Sequence, residues 1–243
     1  MTEVLKRATR MLEAAVTPRR SHLTFASRDL RFVRSIWWHD AHQASFDVEI
    51  QPYFDALPPG RDYRCICDAG AAAGLFAVAA CARFPTAQVR AFEPSLRQRI
   101  ILRRNLRLNG CTRQVDVIPI GLWHSTGVLD FRTHGAIGAL RAATELPLTL
   151  AFAERVRVDS LDHVVMRHGV RFDLIKMDIE GAELEAIEGA RDTLRRDRPE
   201  LLIQAYHQRD GARTFERCAA RLQSLGYTVR EAASTGLLHA TTA

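Results

Sequence analysis

The chain of 243 residues carries 34 Lys plus Arg against 28 Asp plus Glu, a formal charge of +6 with neutral histidines. With 47% hydrophobic and 26% charged residues it excludes wholesale disorder, and no apolar stretch approaches the ~20 residues that a bilayer span needs. All but two of the basic residues, Lys6 and Lys176, are arginines.

Residues 1–16 interrupt their apolar positions with Lys6, Arg7, Arg10 and Glu13, unlike a signal peptide, so a cytoplasmic protein is expected. Residues 1–62 fit no simple alternation and read as an N-terminal helix, a hairpin around 23–33 and a helix near 51–57. From Tyr63 onward the hydrophobic period alternates between strand and helix. It gives a strand at 63–69, a helix at 75–84, a strand at 88–93, a helix at 95–108 closed by Asn109-Gly110, and a strand at 115–120. An insertion over 121–170 holds a strand near 128–131 and a helix after Asp159. A strand at 174–178, a helix at 180–195, a strand at 201–206 and a helix at 214–225 follow, with 227–231 and 237–240 as a closing antiparallel pair. This order predicts an α/β domain over 63–243 built on a mostly parallel sheet, with 1–62 as an extension that caps the acceptor site.

Chemistry concentrates at three strand ends. Asp68-Ala69-Gly70-Ala71-Ala72-Ala73-Gly74 sets an acid and two glycines at a strand-to-helix turn, where open α/β sheets bind ligands and small residues let a cofactor approach the backbone. The bland reading is that Gly70 makes the turn and Gly74 permits helix packing. Glu93 ends the next strand, where an acid accepts both hydroxyls of a ribose in dinucleotide and S-adenosylmethionine sites alike. Because Ala72 stands two after Gly70, the turn lacks the G-x-G-x-x-G that grips a pyrophosphate, and a ligand without phosphates fits better. In Lys176-Met177-Asp178-Ile179-Glu180-Gly181-Ala182-Glu183 a buried strand ends in an acid that projects into the cleft. Glu180 and Glu183 also complement the dipole of the following helix.

These segments, with Phe92-Glu93-Pro94, Asn105-Leu106-Arg107-Leu108-Asn109-Gly110, Val158-Asp159-Ser160-Leu161-Asp162 and Asp173 to Glu183, resemble the ordered motifs of FkbM-type methyltransferases over roughly residues 46–207. The resemblance implies a Rossmann-like, seven-stranded, mostly parallel sheet with an antiparallel closing strand. It also implies S-adenosylmethionine as cofactor and a hydroxyl of a sugar, polyketide or other small metabolite as acceptor. On the same ground Asp68, Gly70, Ala72 and Gly74 would hold the methionine part, and Glu93 with Pro94 the ribose. Asp116, Val117 and Gly121 would border the adenine, and Asp178 and Glu180 would face the acceptor. Asp178 is the favoured base and His207 the second choice. The family usually has Asn at Ala72 and an acid at Gln204. A divalent ion bridging Asp178 and Glu180 is compatible with the sequence and not required by it.

Trp37-Trp38-His39-Asp40-Ala41-His42 reads as packing or an aromatic lid rather than a metal site. Arg97, Arg99, Arg103, Arg104 and Arg107 share one helix without interleaved aromatics, so they read as a solvated face rather than a nucleic-acid surface. Self-association is compatible with the sequence. The rival functions are a nicotinamide-dependent oxidoreductase and a non-catalytic binding protein on the same fold.

Overall fold

A computed structural model describes residues 20–33, 43–134, 137–140, 152–209, 211–232 and 236–242. The expected N-terminal helix and the Trp37 to His42 run lie outside the described residues.

The described chain opens with a hairpin of β1 (Arg20–Phe25) and β2 (Arg28–Val33), paired with Leu23 opposite Leu30. Ala26 and Ser27 turn the hairpin with φ of 49° and 59°, the left-handed geometry that matches the twist of the flanking strands. Leu23, Phe25, Leu30 and Phe32 are buried, so one face of the hairpin belongs to the core. Two short helices follow, α1 (Gln43–Glu49) and α2 (Gln51–Asp55), the second started by Pro52 in its first turn. Their aromatic rings join those of the hairpin and the main domain: Phe25 packs on Phe46 at 5.3 Å, and Phe54 on Phe76 at 5.2 Å.

The main domain continues with β3 (Cys65–Ala69), α3 (Leu75–Arg83), β4 (Gln88–Phe92), α4 (Leu96–Leu108) and β5 (Val115–Ile118). The insertion supplies β6 (Gly121–Leu122), β7 (Gly127–His134), β8 (Ile137–Leu140), β9 (Phe152–Asp159) and α5 (Leu161–His168). Then come β10 (Leu174–Met177), α6 (Glu183–Glu188), α7 (Arg191–Asp197), β11 (Glu200–Gln204), β12 (Gln208–Arg209), β13 (Ala212–Arg213), α8 (Thr214–Ser224), β14 (Thr228–Ala232) and β15 (Leu237–Thr241).

Seven strands form the central sheet in the order β5-β4-β3-β10-β11-β15-β14. The first five run parallel, and β15 lies antiparallel between β11 and β14, as expected. Strand residues alternate between two cores. Ile66, Val89, Leu174 and Leu202 face α3 and the N-terminal extension, whereas Cys67, Phe92, Ile175 and Leu201 face α5 to α8. The alanine-rich α3 is buried from Leu75 through Ala82, because small side chains let it lie close between the sheet and the extension. The chain order reverses between β3 and β10, and in such sheets the crevice above that reversal takes the ligand.

Two expectations need correction. The helix expected over 180–195 is two helices beginning only at Glu183. Glu180 and Gly181 take positive φ (57° and 97°), which postpones the first turn. Gly189 then meets the carbonyl of Trp123 so closely that a Cβ there would lie 2.1 Å from it, and the Asp162 carboxylate accepts the N–H groups of Asp192 and Thr193 to start α7 afresh. The insertion, read as one strand and a helix, builds a second sheet of order β6-β9-β7-β8.

The extension is fastened by two asparagines one helical turn apart, Asn105 on α4 and Asn109 capping its end. Asn105 accepts from the N–H of Val33 at 2.8 Å and donates to the carbonyl of Ala73 at 2.8 Å. Asn109 accepts from the N–H of Arg31 and donates to its carbonyl. The two amides thereby complete the outer edge of β2, which would otherwise present unpaired backbone groups. They also tie the hairpin to the glycine-containing turn.

Candidate active site

Asp68 is fully buried and pairs with Lys176, its direct neighbour in the parallel register, at 3.1 Å. The same ammonium donates to the carbonyl of Gly70 at 3.0 Å. Burial pushes the Asp68 carboxyl up, against the pull of Lys176, while Asp68 and Asp178 keep Lys176 above its ordinary value despite its own burial. This interior ion pair staples the end of β3 to β10. Gly70 (φ 75°) lies so near that a Cβ would stand 1.9 Å from the carbonyl oxygen of Asp178, so only glycine allows the two turns to meet. Gly74 makes the corresponding approach to Leu102.

Glu93, almost fully buried at the end of β4, accepts the N–H of Ala72 on one oxygen and that of Ser95 on the other, both at 2.8 Å. Burial pushes its carboxyl up to about 7, against those two donors. Each oxygen keeps a further lone pair for a ligand hydroxyl. Ala72 holds φ 45°, a strained setting for a residue with a Cβ, and it is the turn residue whose N–H orients Glu93. The usual Asn of the resembling family tolerates that conformation better.

Gly121 lies against Pro94, a Cβ there coming within 3.6 Å of the proline ring, so both flank Glu93. The N–H of Glu93 donates to the carbonyl of Ile118, which places the turn at 118–120 beside it, a turn that no motif in the sequence marks. Asp116 is elsewhere: it sits two residues before the end of β5, exposed, and pairs with Arg90. Val117 packs into the core on the extension side.

Asp178 donates its N–H to the carbonyl of Ala69 and accepts the Tyr53 hydroxyl on Oδ2 at 3.1 Å. Its Oδ1 is buried without a partner among the described residues. The left-handed turn at Glu180 and Gly181 carries the Glu180 carboxylate to Nε2 of His207 at 2.9 Å. Glu183 is fully buried, pushed up to about 7 by that burial, and accepts the N–H groups of Ile179 and Gly181 on Oε1, so it holds this turn together. Burial opposes charge on His207, but the Glu180 hydrogen bond and the nearby Glu183 and Asp178 charges raise its pKa above the usual imidazole value. Its ring stacks on Tyr206 at 4.2 Å, and Tyr206 is 46% exposed.

Asp68, Gly70, Glu93, Asp178, Glu180 and His207 are therefore assembled around the reversal of strand order. Tyr53 completes this group, and no spacing or motif marked it in advance. Among the described residues no group of three or more His, Cys, Asp or Glu is placed to hold a metal, and no helix is long and apolar enough to cross a membrane.

A family model described as Methyltransferase FkbM domain matches residues 68–229, more than half of the chain. Methyltransferase sdnD of Sordaria araneosa is 31% identical over 153 residues, covering 51% of this chain and 59% of the relative. The AMB antimetabolite synthetase AmbE of Pseudomonas aeruginosa is 27% identical over 192 residues, covering 64% of this chain and 9% of that protein. The crystal structure of Methyltransferase FkbM from Methylobacillus flagellatus superimposes with a TM-score of 0.54 at 21% identity, covering 74% of this chain and 43% of that one. The chain thus spans less than two thirds of each relative's length. Its strand order, its glycine turn and this match over most of the sheet domain place the chain in the FkbM methyltransferase family.

Proposed function

We propose that this protein transfers a methyl group from S-adenosylmethionine to a hydroxyl of a small metabolite, a sugar or a glycosylated or polyketide compound, with Asp178 as the base. The observation that carries this reading is the lone Oδ1 of Asp178, buried and unpartnered beside the glycine turn. The residues present fit the cofactor: the crevice gathers carboxylates, which suit a cationic ligand and ribose hydroxyls, and its lysine is engaged by Asp68. A pyrophosphate would meet those carboxylates with Lys176 already engaged by Asp68, which disfavours a nicotinamide dinucleotide.

S-adenosylmethionine, when bound, supplies an electrophilic methyl carbon on a sulfonium. Glu93 takes the ribose hydroxyls, and the turn from Gly70 to Gly74 lines the methionine part. The protein's remaining task is alignment of the acceptor oxygen and removal of its proton. Asp178 Oδ1 receives that proton. His207 is hydrogen-bonded to Glu180 at 2.9 Å, and that bond and the neighbouring acids favour its protonated form, so it is the second choice as base and can orient the acceptor side. The N-terminal extension forms one wall of the acceptor pocket, a role supported by Tyr53 reaching Asp178.

Asp178→Asn keeps the shape and removes the proton acceptor. Formation of S-adenosylhomocysteine with a responsive acceptor should fall by roughly 10²-fold or more, while affinity for S-adenosylhomocysteine stays within about threefold. Retained turnover would move the base to His207.

A further inference from the structure

Tyr53 lies outside the span matched by the family model, on the short helix α2 of the N-terminal extension, yet its hydroxyl meets the proposed base. The ring is almost wholly buried, packs edge-on against Phe76 at 5.6 Å and lies 5.7 Å from Nζ of Lys176. A phenol buried this deeply needs a hydrogen-bond partner, and Asp178 Oδ2 supplies it at 3.1 Å. Burial and the Asp178 charge push the phenol's pKa well above its usual value, so it remains a donor at every working pH.

The contact makes the two oxygens of Asp178 unequal. Its backbone is fixed by the bond to Ala69 and by the close approach of Gly70. The carboxylate can still turn about its last bond, a broad and soft torsion. Tyr53 stops that rotation at Oδ2 and leaves Oδ1, buried and unpartnered, as the free acceptor. We infer that Tyr53 is a positioning residue for the transfer: it aims Oδ1 of Asp178 at the acceptor hydroxyl, and the working machinery therefore extends from the family-matched domain into the N-terminal extension. This inference rests on the methyl-transfer reading given above.

The test uses full-length protein with ¹³C-labelled aspartate carboxyls and three forms: unaltered, Tyr53→Phe and Asp178→Asn. The Asp178 resonance is the one missing from Asp178→Asn, and Tyr53→Phe should move it while leaving the remaining aspartate signals in place. In Tyr53→Phe, turnover with a panel of methyl glycosides as probe acceptors should lose roughly ten- to a hundredfold in kcat, with acceptor KM and S-adenosylhomocysteine affinity within about threefold. Should Tyr53→Phe fold poorly, labelled tyrosine in Asp178→Asn reads the same contact from the other side, as a displaced Tyr53 signal. An unmoved carboxyl resonance, an unchanged kcat, or a loss expressed only in KM would overturn the inference. If the carboxyl moves but unaltered protein binds no S-adenosylhomocysteine, the methyl-transfer reading fails, and the contact is architectural alone.

Discussion

At the scale of single residues, the burial of Glu93 ties its protonation to stability and, on the proposed reading, to ligand binding. In the free protein its carboxyl is pushed from an ordinary 4.5 up to about 7 by burial, because two backbone donors replace only part of its hydration. A group raised in this way contributes stability that is fully present below about 4.5 and is lost as pH rises through about 7, by at most about 3.4 kcal/mol. A ligand that donates two hydroxyls binds the ionised form. Affinity for S-adenosylhomocysteine should therefore strengthen across the same interval, by roughly tenfold between pH 6 and pH 8, with a proton released on binding below neutrality. Calorimetry in buffers of different ionisation enthalpy measures both quantities, and an affinity independent of pH would show that Glu93 does not meet the ribose.

Other single residues differ in how legible they were. Asp68, Glu93 and Asp178 could be picked out because each stands at or beside the end of a strand, although Asp68 and Glu93 also hold structural partners, Lys176 and the N–H groups of Ala72 and Ser95. Glu183 could equally have been a dipole-compensating acid. Its actual task, accepting two N–H groups of the preceding turn, depends on positive φ at Glu180 and Gly181, which hydrophobic periodicity does not report. Asp116 was given to the adenine by resemblance, whereas its partner Arg90 holds it on the outer part of the edge strand. Tyr53 had no local signature, since its importance arises from a contact across 125 positions of sequence.

At the scale of elements, the alternation from Tyr63 onward was readable because strands and helices bury different periods, and the core confirms both faces of each strand. Boundaries moved where tertiary contacts intervened, as at Gly189, whose missing side chain admits the Trp123 carbonyl. The second sheet was not readable, because its pairings join residues as distant as Gly121 and Val158. The hairpin could be expected from its apolar alternation, but not its attachment. Asn105 makes that attachment and supports the glycine-containing turn in the same amide, so Asn105→Ala leaves the Val33 N–H and the Ala73 carbonyl without partners in the interior. The expected loss is about 2–4 kcal/mol, seen as a melting temperature lower by roughly 5–15 °C. Asn109→Ala, at a more exposed position, should cost under about 1.5 kcal/mol. Equal effects would mean that the hairpin is held by its apolar face alone.

At the scale of the whole molecule, several of the arginines among the described residues are paired with acids. Arg171 and Arg196 pair with Asp197, Arg191 with Glu188, Arg209 with Glu185, and Arg213 with Glu216 and Glu231. The exposed pairs among these, such as Arg191 with Glu188 and Arg213 with Glu216, contribute little stability individually. Charge is organised differently in the crevice, where Asp68, Glu93, Asp178, Glu180 and Glu183 surround Lys176 and His207. On the proposed reading these acids suit a cationic donor and a neutral hydroxyl acceptor, and the N-terminal extension shares its core with the sheet domain beside them. The most direct test of this account is calorimetric titration of the full chain with S-adenosylhomocysteine, beside NAD and NADP. The account predicts one site that takes S-adenosylhomocysteine and neither dinucleotide, weakened at least about tenfold by Glu93→Ala and preserved in Asp178→Asn. No binding of S-adenosylhomocysteine at millimolar concentration, or equal binding by Glu93→Ala, would contradict it.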